Sequence, residues 1–462
     1  MTMKVKHIIK FAVVALIFSF SFTAVAQTLR TGYFLKGNPY SHRLNPALMN
    51  DRHYISFPML GSINLNTAGK FGISKFIYDA PNGNGLVTFM HPSIDTDGFM
   101  SNIDSNNRLA LELDMDVFSM GFFAFGGYNT LDFALHSRTA MNVPYDMFKF
   151  LKTLGGGEYD LAKFNVTTRN YFDISLGHSH KLNDDFTLGV RLKALLGVAY
   201  ADLMLDKMKV QLSGERWMID AKGSLSAALG GRFTFDESGM VNSYENPALG
   251  IHGIGFGADL GFTYDLTNLG TKGLVISASV TDLGFMMWKN VSTAGFSPEP
   301  YVFEGFDEIA TGADGATIEE QLDAVGEDIG NMFVLADNGI ADKNEMLSAT
   351  LHIALEYRMP FYEKLSAALL FSNRFNELYP YNQISLILNC SPVNWLNFAI
   401  SGTNTNLGLG FGAMLNLHCP GFSFFIGSDY FITKVNKQYI PLNDFNSSVS
   451  FGINIPFGKR RD

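Results

Sequence analysis

Charge is scarce in this chain. Only 17% of its 462 residues are Asp, Glu, Lys or Arg, against ~25% in an ordinary soluble domain. That shortage excludes a charge-rich disordered polypeptide and a coiled coil. Positive charge is in deficit as well: 34 Lys+Arg face 44 Asp+Glu, a formal −10, which leaves no basic footprint for nucleic acid. Two cysteines cannot staple a small disulfide scaffold. After residue 26 no stretch reaches the ~20 continuous apolar residues that a spanning helix needs. The motifs G-x-S-x-G, H-E-x-x-H and G-x-x-x-x-G-K-[ST] are all missing, so there is no nucleophile elbow, zinc-protease helix or phosphate loop. These gaps point away from an enzyme, and nothing in the chain calls for a cofactor or a metal.

Apolar, aromatic and small residues are plentiful: 47% hydrophobic, 13% aromatic, 45 Gly and 41 Phe. At the N-terminus, Lys4, Lys6, His7 and Lys10 precede an apolar run from Phe11 to Phe22, and Ala24-Val25-Ala26 is a small-x-small cleavage site. Residues 1–26 therefore read as a cleavable secretory signal peptide. No Cys follows the cleavage site, which argues against a lipoprotein. Export places Cys390 and Cys419 where a disulfide can persist. Both fall in segments read as short turns, NCSPVN and HCPG. A bridge between them and two separate thiols are both left open.

Beyond the signal peptide, the recurring pattern is alternation with period two, the mark of a strand with two different faces. Leu109, Leu111, Leu113, Met115 and Val117 alternate with Ala110, Glu112, Asp114 and Asp116. The even positions Phe164, Val166, Thr168, Phe172, Ile174 and Leu176 share one face. Residues 186–200, 254–266 and 448–457 repeat the theme, with Arg191, Lys193 and Asp259 on the small, polar side. Soluble sandwiches alternate too, but their strands average about five or six residues. Several segments here are two to three times longer. Such strands, behind a signal peptide and without a helical span, predict an all-β fold: a closed antiparallel transmembrane β-barrel of about 14 strands (roughly 12–16) in a Gram-negative-type outer membrane. Glu112, Asp114, Asp116, Arg191, Lys193 and Asp259 are the candidate lumen-facing residues, either tying the interior together or shaping a polar conduit. Tyr54, Trp217, Tyr264, Trp288, Tyr357, Trp395, Tyr430 and Phe457, near strand ends, are candidates for interfacial girdles.

Short connections near 182–185, 267–272, 359–364, 390–394 and 418–421 alternate with longer ones, as periplasmic turns alternate with external loops. Segment 108–126 changes its apolar face near Phe118, which predicts either a bulged strand or a tight hairpin. Segment 206–216 has no clear assignment. Residues 290–346 form an acidic insertion: from Glu304 to Glu345 there are twelve acidic residues and one basic, Lys343. Within it, Thr317 lies three residues before Glu320, a capping pattern for a short helix over 317–325. Asp95-x-Asp97-Gly98 and Asp337-Asn338-Gly339 supply carboxylates at turns but do not follow the EF-hand ligand schedule. His178 and His180 flank Ser179, and no motif supplies a carboxylate to orient either ring.

Near the mature N-terminus stands His42-Arg43-Leu44-Asn45-Pro46-Ala47-Leu48. An N-P-A motif just before the first barrel strand resembles the FadL and PorV superfamily of outer-membrane proteins. The runs GADLGFTYDLT (257–267), ISASVTDLGFMMWKN (276–290), NLNTAGKFGISKF (64–76) and YFDISLGHSHKL (171–182) are similar to an uncharacterised Bacteroidota-type outer-membrane family grouped near those barrels. The resemblance covers nearly the whole mature chain, and a second N-P-A recurs at Asn246-Pro247-Ala248. It implies a luminal plug over residues 27–53 with Asn45, Pro46 and Ala47 at its turn, followed by a barrel over 54–462. Pro46 removes a donor and confines Asn45 to extended geometry, as a compact turn requires. The implied function is a channel or transporter for small molecules, hydrophobic ones included, in contact with outer-membrane lipid. A PorV-like, non-conducting scaffold for a surface or secretion protein is the alternative. An outer-membrane enzyme is the third class, and it lacks a visible nucleophile–base pair.

Overall fold

The structure is a computed structural model that describes residues 29–69, 75–81, 85–153, 157–212, 217–236, 241–296, 301–303, 335–375, 381–431 and 446–459. The signal peptide and the 317–325 helix lie outside the described residues.

The long alternating segments pair into one antiparallel sheet that closes on itself. Its strands are β1 (His53–Ser56, resumed at Ile63–Gly69), β2 (Asn106–Ala124), β3 (Gly127–Pro144), β4 (Asn165–Lys181) and β5 (Phe186–Leu212). Then come β6 (Trp217–Ala228, resumed at Gly253–Asp265), β7 (Leu274–Phe296) and β8 (Leu335–Met346, resumed at Thr350–Arg358). The ring is completed by β9 (Leu365–Arg374), β10 (Tyr381–Val393), β11 (Leu396–Thr405), β12 (Gly408–Cys419), β13 (Phe422–Ser428) and β14 (Ser447–Phe457). Pairs from His53↔Phe457 to Ser56↔Asn454, and from Ile63↔Phe451 to Thr67↔Ser447, join β14 to β1. The result is a closed 14-strand barrel. Closure leaves no unpaired edge, which is how a sheet satisfies its backbone in lipid.

The split strands each stay in register across their break. Ala228 pairs with Tyr200 and Gly253 with Gly197, so the 24 residues between them leave β6 and return to nearly the same place. Two short segments, Gly157–Asp160 and Tyr301–Phe303, extend the rim at the end with the longer connections. The wall is uneven: β5 has 27 residues and β7 has 23, while β9 has 10 and β13 has 7. At the opposite end the connections are tight. Phe125 and Gly126 make a two-residue turn with φ of 55° and 75°, the two positive values of a type I′ hairpin. Both barrel termini emerge there.

Side chains sort by the period. On β4, Asp173 and Ser175 are 2% and 0% exposed, whereas Ile174 and Leu176 are 43% and 63% exposed. Ile254, Phe256, Leu260, Ile353, Leu369, Leu386, Ile400 and Leu415 continue this exposed apolar face around the ring. A band of that extent is foreign to a water-facing surface and matches a hydrocarbon-facing one.

Several local expectations change. Segment 108–126 is a single strand with a register shift between Asp116 and Phe118, followed by the hairpin at Phe125–Gly126. Residues 206–212 continue β5. Most of the 290–346 insertion's two ends is strand: β7 runs to Phe296 and β8 begins at Leu335. Of the girdle candidates, Tyr357, Trp395 and Phe457 are exposed, but Tyr54, Trp288 and Tyr430 are buried. The reason is a polar partner for each: Ser119 for the Tyr54 hydroxyl, Glu345 for the Trp288 indole and Gln383 for the Tyr430 hydroxyl. Cys390 and Cys419 carry free thiols, Cys390 within β10 and Cys419 at the end of β12. Asp95 caps a short helix, α1 (Thr96–Met100), by accepting from the Gly98 N–H at 2.7 Å.

Candidate functional site: the lumen and its N-terminal segment

Residues 29–52 run through the barrel interior, and one side of the lumen is built to receive them. The second half of β8 and the shorter strands β9–β13 turn Ala354, Ala368, Leu370, Ile387, Ala399, Met414 and Phe425 inward. Leu29, Tyr33, Leu35, Tyr40 and Leu44 pack on them as one buried cluster. Polar ties ring this cluster. The Thr31 N–H and hydroxyl both donate to Asp429, at 2.8 and 2.6 Å. The Arg30 guanidinium donates to Gln383, and the Tyr40 hydroxyl donates to Asn454 at 2.7 Å.

The tall side, β2–β7, is charged instead. Asp132 on β3 is its hub, with His42 Nε2 at 3.1 Å, Arg43 at 3.2 Å and Arg191 at 3.1 Å. Arg43 also pairs with Asp116. From Arg191 the network passes to Asp259 at 3.2 Å; Lys193 then bridges Asp259 at 2.8 Å and Asp282 at 2.6 Å. His136 lies between Asp114 and Asp173, Arg138 reaches Asp114 at 2.7 Å, and Arg374 pairs with Glu112. Seven carboxylates thus meet five Arg/Lys side chains and two imidazoles. Buried charges persist only where they are paired and hydrogen-bonded, and here each acid has a counter-charge.

Glu112, Asp114, Asp116, Arg191, Lys193 and Asp259 all lie on the inner face, each less than 9% exposed, and each belongs to this network. Sequence reasoning missed Asp132, His136, Arg138, Asp173 and the segment's own His42 and Arg43. The signal was available on β3, where Thr130, Asp132, Ala134, His136 and Arg138 alternate with Leu131, Phe133, Leu135 and Ser137.

The Asn45-Pro46-Ala47 turn rests against the wall in a niche made by two glycines. Gly189 on β5 and Gly261 on β6 are direct cross-strand partners. A Cβ at Gly189 would collide with the Pro46 carbonyl, and one at Gly261 with the Asn45 side chain. The Asn45 amide donates to Ser277 Oγ at 2.8 Å and to the Phe262 carbonyl at 3.1 Å, while its oxygen accepts from the Ala47 N–H at 2.9 Å. Ser279 Oγ donates to the Leu44 carbonyl at 2.6 Å. The turn is therefore latched to β6 and β7 by one fully buried side chain. Ser179 is drawn into the same contact and donates to the Ala47 carbonyl at 3.4 Å. Its flanking His178 and His180 lie on the opposite face, their rings stacked 5.8 Å apart, so the three residues form no Ser–His pair.

Below the segment, at the tight-turn end, lies a cavity of about 710 Å³ lined by Phe34, Lys36, Leu48, Asn50, Lys181, Glu356 and Arg358 among others. A second cavity, about 500 Å³, lies on the outer wall.

No curated protein matches the chain. Among solved structures, it is similar to a mutant of the TodX monoaromatic hydrocarbon channel, at 10% identity and a TM-score of 0.43, over 94% of this chain and 95% of that one. It is also similar to the P. putida toluene transporter TodX, at 8% identity and 0.40, over 95% and 96%. A Pseudomonas aeruginosa FadL homologue gives 10% and 0.40, over 94% and 100%. The family of unknown function DUF5723 matches residues 46–429, from the latched turn of the luminal segment to the end of β13. The chain is a member of the DUF5723 family.

Proposed function

We propose that this protein is an outer-membrane channel for small hydrophobic molecules whose lumen is gated by its own N-terminal segment. The observation that carries this reading is the seating of residues 29–52. They fill the interior, yet no strand pairing holds them to the wall. They are held by the apolar cluster and by side-chain ties, chiefly at Asp429, Gln383, Asn454, Asp132, Asp116 and the Asn45 niche. A filling of this kind can be displaced while the wall stays intact, because the backbone pairing of the barrel does not pass through it. The mixed polar and apolar cavity beneath it would receive what passes, and the N-P-A resemblance to FadL-type barrels agrees.

A second reading has its own observation. The apolar cluster from Leu29 to Phe425 closes the low side as tightly as a core, which suits a non-conducting scaffold. Permeability of liposomes reconstituted with the full mature chain and with a chain lacking residues 27–53 separates the two. Gating predicts little leakage of a small membrane-impermeant dye from the first and rapid leakage from the second. Equal, negligible leakage from both would replace the channel with the scaffold.

A further inference from the structure

Of the wall's interruptions, those in β1 and β6 face each other across β2–β5 on its outer side. On one flank, β1 breaks at Phe57–Leu60. Met59 stands out there with φ of 59°, and its N–H donates to the Val117 carbonyl at 3.1 Å. On the other flank, the β6 excursion folds a hairpin, Arg232–Phe235 with Val241–Glu245, against outward-facing Leu225, Ala227, Ala294 and Leu335. Its return stretch, Pro247–Leu249, overhangs the wall. Between Met59 and Leu249 lies the roughly 500 Å³ cavity, within the ~300–1,000 Å³ of small-molecule sites. Its floor is Leu113, Met115, Phe133, Leu135 and Phe172.

Three polar side chains, Ser137, Thr168 and Asn170, break this apolar lining, and the Thr168 hydroxyl is already paired with that of Thr139. Ser137 and Asn170 are direct cross-strand partners, both line the cavity, and among the described residues neither side chain has a hydrogen-bond partner. An uncompensated amide on a hydrocarbon-facing wall costs free energy, so these groups ask for a polar ligand atom. Their height suits one source. Ser137 lies ten residues from Gly127 and Asn170 eleven from Lys181. At ~3.3 Å per residue and a ~45° tilt, both stand roughly 25 Å above the tight-turn rim, at the top of a ~25 Å apolar band.

We propose that this roofed groove holds one acyl chain of an outer-leaflet lipid, its hydrocarbon against Leu113, Phe133 and Phe172 and its carbonyl accepting from Ser137 and Asn170. The proposal rests on the membrane-spanning reading above, but not on transport. The groove opens onto the same face as the exposed belt, so lipid is the molecule already present there. An apolar floor with two uncharged donors at its upper edge matches an ester-headed chain better than a charged one.

The test reconstitutes the full mature protein in liposomes containing a phosphatidylethanolamine with a diazirine in its acyl chain. After irradiation, adducts are mapped by peptide mass spectrometry. The expectation is about fivefold more labelling per residue on 113–117, 133–137 and 168–172 than on the belt around Ile384, Leu386 and Ile400, a preference worth about 1 kcal/mol. Ala199→Trp fills the groove and should remove that enrichment. Asn170→Leu, a milder change, should reduce it while leaving belt labelling unchanged. A labelled belt with an unenriched groove overturns the groove alone, as does an enrichment that both substitutions leave intact. No labelling on any part of the belt overturns the membrane-spanning reading with it.

Discussion

Asn45 and Asp132 are the two residues on which the luminal segment depends most, and they act differently. Asn45 contributes shape-matched hydrogen bonds in a niche where no Cβ fits. Replacing it with Ala leaves Ser277 and two backbone carbonyls short of a donor, at a cost of about 1–3 kcal/mol. That loss should fall on the segment and spare the barrel: Asn45→Ala is expected to expose residues 29–52 to limited proteolysis while the heat-modifiable band on gels stays where it was. Gly189→Val should do the same more strongly, because its side chain would occupy the place of Pro46. Protection equal to the parent in both variants would show that the niche is not what holds the turn. Asp132 instead holds the guanidinium groups of Arg43 and Arg191 and the His42 ring, tying β3 to β5 and to the segment. Removing one partner of a buried ionic network costs ~3–5 kcal/mol, so Asp132→Ala should lower the temperature at which the whole barrel unfolds in detergent. An unchanged transition would mean that Asp259, Asp173 and Asp116 carry Arg191 and Arg43 unaided.

The strands were largely legible from their alternation. Period two identifies the two faces of β4, β5 and the lower part of β6, and it places Glu112, Asp114, Asp116, Arg191, Lys193 and Asp259 together on one of them. Which acid meets which base was not legible, because pairing is set by register between strands tens of residues apart, as in Arg374 with Glu112. The interruptions in β1, β6 and β8 were hidden for a related reason. A strand that leaves the sheet and re-enters in register reads locally as two strands, and only its neighbour shows that they are one. The aromatic positions failed where Tyr54, Trp288 and Tyr430 carry a polar atom that an inner-face group satisfies. Because Ala228 and Gly253 lie against nearly adjacent residues of β5, the excursion between them is dispensable to the ring. A chain in which residues 231–250 are replaced by a short Gly-Ser link should still run as a folded, heat-modifiable barrel. Failure to fold would make the hairpin part of the wall.

At the scale of the whole molecule, the barrel is lopsided in both height and chemistry. The tall, charged arc β2–β7 faces a lower arc, β9–β13, whose buried side chains are an apolar cluster set among uncharged polar groups such as Gln383, Ser385, Ser401, Thr403 and Asn416, and the N-terminal segment is the piece that fits both. It presents Arg43 and His42 to the first arc and Tyr33, Leu35 and Leu44 to the second. The ends of the chain meet there too. Arg30 and Thr31 bond to Asp429, and Tyr40 bonds to Asn454, contacts separated by 399, 398 and 414 positions. Partners so distant in the polypeptide form late, since the intervening loop entropy must first be overcome by nearer pairings. A stretch that leaves the ribosome among the first is thus the one that must wait longest for its seat: it cannot settle until the final staves have been laid.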